Sequence, residues 1–142
     1  MMARGPGWIL GEGEVGEWHV RVTARANLAS TLAHLHRSLR ELIATHGGRP
    51  LRIDLEQAPR LAGQATLTAF GLLLADLERL QLRVAVHIGP DFIQCARVQR
   101  ALDLHAPRRA RCVMTRAHAD RWLHGPRLWR SADAARGRLR VS

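Results

Sequence analysis

The residues of this chain whose types could carry chemistry are eight histidines, two cysteines, one close carboxylate pair and two threonines beside a glycine-marked junction. Metal binding needs several of them to converge. His34 and His36 are two apart on a helical stretch, which points them about 200° apart, and His118 and His124 are six apart and also off a common face. Neither a Cys-x-x-Cys nor a His-Glu-x-x-His spacing occurs, so these read as surface histidines rather than a zinc site, and no metal or cofactor is expected. His87 lies in a strand-like run. Alternation sets it on the layer opposite Val86 and Ile88, as a partly buried, hydrogen-bonded structural histidine rather than a base.

Nucleophilic catalysis needs a base and an orienting group in reach of the nucleophile. Cys95 falls mid-helix and Cys112 in a short strand, both typical of small buried apolar residues. Asp54 and Glu56 read as alternating across strand faces without forming an acid/base pair. Gly11-Glu-Gly-Glu-Val-Gly16 fits Gly-x-Gly-x-x-Gly formally, but a strand follows it and its glutamates would repel a phosphate. There is no Gly-x-Ser-x-Gly elbow and no Walker loop, so an enzyme is not expected.

A basic segment is the other candidate. It contains Arg108, Arg109, Arg111, Arg116, Arg121, Arg127 and Arg130, with Trp122 and Trp129 seven apart, two turns of a helix. Arginine beside tryptophan suits phosphate neutralisation and base stacking; the same pair equally caps a core or anchors a protein interface. The bias of the whole chain favours core plus interface. All 22 basic residues are arginine, a sign of GC-rich coding, and lysine and tyrosine are absent. Residues 1–78 balance eight arginines against eight acids, so residues 79–142 carry the whole net charge of +10. Such a half attracts phosphate, anionic lipid or an acidic protein face.

These residues must be held by elements that the hydrophobic pattern outlines. Trp8 to Leu10 suggests a short strand and turn, and Trp18-His-Val-Arg-Val-Thr23 alternates as a half-buried strand. Asn27 suits an N-cap, and Leu28, Leu32, Leu35, Leu39, Leu42 and Ile43 form a helical stripe ended by His46-Gly47-Gly48. Leu51 to Leu55 is a strand. Leu67, Phe70, Leu73, Leu74, Leu77 and Leu80 mark the next helix, and Leu82 to Ile88 the next strand. Phe92 to Leu104 predicts a helix with Phe92, Ala96, Ala101 and Leu102 inward. Cys112-Val-Met114 is a short strand, and Ala117 to Leu123 a last helix. The order β-β-α-β-α-β-α-β-α implies an α/β fold with a mainly parallel central sheet flanked by helices and a hairpin-like start. Residues 1–124 read as one domain and 125–142 as an Arg-rich tail. No run is apolar enough to span a membrane, no signal peptide is evident and two cysteines make no disulfide framework, so a soluble cytoplasmic protein is expected.

This order resembles the STAS domain family, the cytoplasmic domains of sulfate transporters and the anti-sigma factor antagonists. The likeness spans Trp18 to Leu123. It is carried by the strand Arg52-Ile-Asp-Leu55, by Gly71 and the Leu72-Leu73-Leu74 run, by Val84-Ala-Val-His-Ile88 with Gly89-Pro90, and by Val98-Gln-Arg-Ala-Leu-Asp-Leu104. The resemblance implies a non-catalytic, regulatory, bacterial protein-interaction module. Its partner-binding face would lie around residues 58–70, at Arg60, Gly63, Gln64, Thr66 and Thr68. Candidate partners are a kinase-like, sigma-regulatory or transporter component, nucleic acid in the alternative reading, or a second copy of the chain. Where the family has Asp-Ser-Ser-Gly, this sequence has Ala62-Gly63-Gln64-Ala65. A phosphorylated serine there would be favoured by the free N–H groups of a helix start, but Gly63 has no hydroxyl. Thr66 and Thr68, the nearest hydroxyls, are expected to pack or to cap.

Overall fold

The alternation of Trp18-His-Val-Arg-Val22 places Trp18, Val20 and Val22 on one face of a strand and His19 and Arg21 on the other, and that division runs through the whole sheet. The computed structural model describes residues 2–14, 16–23 and 27–124. Arg127, Trp129, Arg130 and the expected tail from residue 125 lie outside the described residues. The elements follow as β1 (Ala3–Gly5), β2 (Trp8–Glu12), β3 (Trp18–Val22), α1 (Leu28–His46), β4 (Leu51–Asp54), α2 (Gln64–Arg79), β5 (Val84–His87), α3 (Phe92–His105), β6 (Ala110–Val113) and α4 (116–124). The six strands stand side by side in chain order. β1–β2 and β2–β3 pair antiparallel, and β3–β4, β4–β5 and β5–β6 pair parallel. The fold is therefore α/β with an antiparallel N-terminal edge. β1 is an addition to the expected order, because Ala-Arg-Gly is too short for alternation to register.

Crossovers that all advance in one direction across a parallel sheet place their helices on one face. That face carries Trp8, Leu10, Trp18, Val20, Leu51, Ile53, Val84, Val86 and Cys112, and it packs against Leu32, Leu35 and Leu39 of α1, Phe70, Leu73, Leu74 and Leu77 of α2, and Val98 and Leu102 of α3. Burying a side chain of this size contributes about 1.5–3 kcal/mol, so this layer dominates stability. The opposite face has a separate apolar cluster of Ala85, Val113, Ala119 and Leu123, where α4 lies across β5 and β6. On that face, next to α4, the strands present His19, Arg52, Asp54 and His87.

Local signals explain the helix ends. The Asn27 side chain accepts from the Ser30 N–H at 3.2 Å, with Asn27 in the left-handed conformation its short polar side chain tolerates. Asp91, which the pattern did not single out, caps α3 by accepting from the Gln94 N–H at 3.0 Å. The expected inward face of α3 holds at Ala101 and Leu102 and is corrected at Phe92 and Ala96. Phe92 is 77% exposed and Ala96 is also exposed, while Val98 and Leu102 are buried, with Cys95 and Ala101 half-buried beside them.

Candidate functional site

In a parallel sheet the strand ends and the following helix starts gather at one edge, where α/β proteins place ligands. Here that edge holds the C-terminal ends of β4 and β5, the loop 55–63, and the starts of α2 and α3. The expected partner-binding residues sit along it. Gly63 is the N-cap of α2 with φ 88° and ψ 149°, a conformation open to glycine alone, and no side chain caps the helix. Neither threonine is seen capping α2, and of the two expected roles half-buried Thr66 fits packing. The exposed Thr68 instead accepts a 3.4 Å hydrogen bond from Gln64 Nε2, and Thr66 is half-buried. Arg60 pairs with Asp91 at 3.8 Å, tying the loop to the start of α3.

Thr68 also belongs to a groove of about 710 Å³ between the N-terminal halves of α1 and α2. Ala29, Ala33, Ala65 and Ala69 form walls that let another backbone approach closely, and Leu72, 60% exposed, stands in it. The other end of this helix pair is clamped by buried Asp76. Its carboxylate accepts from His36 at 2.8 Å, meets Arg40 Nε at 3.4 Å, and pairs with Arg79 one turn on. Burial alone would raise the Asp76 carboxyl. The His36 bond and the two guanidiniums outweigh it and hold the pKa below the usual carboxylate range. His34 is engaged separately, accepting from Trp8 Nε1–H at 3.1 Å, so the two helical histidines do diverge.

On the other face of the sheet, at the same edge, lies a cluster the pattern missed. Asp54 and Glu56 do not part across a strand. Residues two apart share a face, and the chain turns at once after β4, with the Glu56 N–H donating to Asp54 Oδ1 at 2.9 Å. Register then sets Asp54 opposite His87. One ligand atom from each of Asp54, Glu56 and His87 lies within 4.8 Å of the others. Burial raises the Asp54 pKa, but the His19 side chain, the Glu56 N–H and nearby His87 together lower it below the usual value. His19 Nε2 stands 3.7 Å from Asp54 Oδ2, and Arg52 Nη2 reaches His19 Nδ1 at 3.0 Å. Asp120 of α4 lies 3.9 Å from Arg52, and buried Glu17 and His124 pair at 3.4 Å, fastening α4 to the turn before β3.

The described part of the basic segment is largely engaged within the fold. Trp122 donates its indole N–H to the Val84 carbonyl at 2.9 Å and accepts from Arg83 Nε at its own carbonyl. The guanidiniums of Arg83 and Arg111 lie 4.0 and 4.7 Å from its ring centre, so its ring surface is occupied by arginine rather than open to bases. Arg108 donates its backbone N–H to Glu78, Arg109 reaches the Gln81 carbonyl at 3.4 Å, and Arg116 stands 3.8 Å from Glu14. Arg121 lines a shallow recess with Arg111, His118 and Trp122. Cys95 and Cys112 are free and adjacent across α3 and β6. Burial first, then the neighbouring Cys95 thiol, pushes the Cys112 thiol far above its usual range, which disfavours a thiolate nucleophile. No helix among the described residues is long and apolar enough to cross a membrane. No family model, curated protein or solved structure matches the chain.

Proposed function

We propose that this chain is a non-catalytic protein-interaction module of the STAS kind, which receives a protein partner in the groove between α1 and α2. The carrying observation is the groove itself, with alanine walls and Leu72 standing 60% exposed in it. Exposed apolar side chains beside small residues suit an amphipathic helix or an apolar loop from a partner. The helices on one sheet face, the α2 start at Gly63 and the Gln64–Thr68 pair beside the groove support the resemblance in the region where that family binds its regulators. Kinase-like, sigma-regulatory and transporter components are the partner classes it suggests. With glycine at the position of the family's first serine, docking here is independent of phosphorylation at that position.

The test is co-purification from the native host with chains that differ only at the groove. A partner recovered one-to-one with the native chain and with Leu104→Glu, at the far end of α3, is expected to be lost with Leu72→Glu and with Ala33→Glu. All four chains should share one circular-dichroism spectrum. Equal recovery by the groove variants would refute the proposal.

A further inference from the structure

We propose that Asp54, Glu56 and His87 form a binding site for one divalent transition-metal ion, on the sheet face away from α1, α2 and α3. Their ligand atoms already lie within 4.8 Å of one another. A tetrahedral ion with ligands at 2.0–2.2 Å would need separations of about 3.4 Å, a closure that rotation of the exposed Glu56 side chain can supply. His87 provides the independent sign of a ligand. It is 9% exposed, it belongs to the same cluster as the two carboxylates, and among the described residues its imidazole has no hydrogen-bonding partner. A metal ion would give this imidazole a partner beside the two carboxylates.

The surroundings hold the donors in place. Asp54 Oδ1 accepts from the Glu56 N–H, and Oδ2 has His19 3.7 Å away as an outer partner. Such outer-shell contacts orient metal ligands. Gly89, at φ 79°, brings the turn after β5 so close to Glu56 that a Cβ there would stand 3.2 Å from its Cγ. The nearby Arg52 cation has Asp120 at 3.9 Å, so two carboxylates remain to balance a dication. Imidazole with two carboxylates favours zinc, iron, cobalt or manganese over magnesium and calcium, which prefer oxygen alone. Three protein ligands leave at least one coordination position open.

The experiment uses the untagged full chain, with Co²⁺ and Zn²⁺ as probes and Mg²⁺ as competitor. Equilibrium dialysis is expected to give one bound ion, with visible Co²⁺ absorption that millimolar Mg²⁺ leaves unchanged. Glu56→Gln and His87→Gln should each weaken binding roughly 10-fold or more. His118→Gln, an exposed histidine on α4, should not change it. Zn²⁺ should also raise the melting temperature of the native chain by mass action, and not that of Glu56→Gln. Because Glu56 is exposed, its variant remains a fair test even where His87→Gln folds poorly. Absence of saturable binding, or equal binding by the native chain and Glu56→Gln, overturns the proposal.

Discussion

Asp76→Ala should uncouple α1 from α2 and lower stability by about 2 kcal/mol. Its carboxylate is buried at 7% exposure and accepts from His36 across the helix pair. A hydrogen bond to a charged group contributes about 1.5–3 kcal/mol. Arg40 and Arg79 are 62% and 69% exposed, so solvent screens them and together they add under about 1 kcal/mol. Alanine regains about 0.6 kcal/mol of helix propensity, which brings the net to about 2 kcal/mol. For a chain of this length that corresponds to a drop of about 6 °C in melting temperature. The effect has a pH signature. The folded Asp76 pKa is depressed, so its contribution is full above the unfolded value of about 3.9 and fades as pH falls through the lower folded value. Urea unfolding of native and Asp76→Ala chains across that range reads the gap, and a His36→Ala, Asp76→Ala double-mutant cycle should return a coupling of about 1–2 kcal/mol. A gap below about 0.5 kcal/mol at pH 6, or one undiminished at pH 2.5, would refute the reasoning.

Gly63→Ala should destabilise by about 1–3 kcal/mol, since φ 88° with ψ 149° is strained for any side chain; Gly63→Ser should lose about 1 kcal/mol less, because its hydroxyl can cap α2. Urea midpoints of the two variants check both the strain and the offset. Cys112, its thiol raised by burial and by Cys95, should react with an aromatic disulfide reagent at pH 7.5 only as fast as the chain opens. Reaction at the rate of a free thiol in the folded protein would contradict its placement.

The fold was legible where one period governed a long segment. The leucines of α1 and α2 recur at helical spacing, β3 alternates apolar with polar residues and β5 is an apolar, β-branched run, so their elements and their α/β order follow from the burial pattern. Legibility failed where a short local interaction decided the outcome. β1 is three residues long and exists through pairing with β2, a contact outside its own sequence. The inward face of α3 was read correctly at Ala101 and Leu102 but not in its first turns, where Phe92 and Ala96 face outward and Val98, not singled out, is buried.

The candidate sites divide in the same way. Gly63, Gln64 and Thr68 could be named from the chain because a strand, a glycine and a helix start are local signs. What faces them could not. Ala29, Ala33 and Leu72 line the groove only because α1 and α2 pack side by side, and an exposed leucine in a leucine-rich helix looks like one more core residue. Asp54 and His87 are 33 positions apart and meet through the β4–β5 register, while Glu56 joins them only because the strand stops at Asp54 and the backbone turns. A histidine judged alone in a strand is sensibly read as a core residue. The same histidine, opposite a carboxylate and with no hydrogen-bonding partner among the described residues, stands where a metal ion could join the three groups. Metal motifs read by spacing rely on ligands that share one helix or one loop. Three ligands contributed by two strand ends and a turn have no fixed spacing, so only the sheet register could bring this cluster to light.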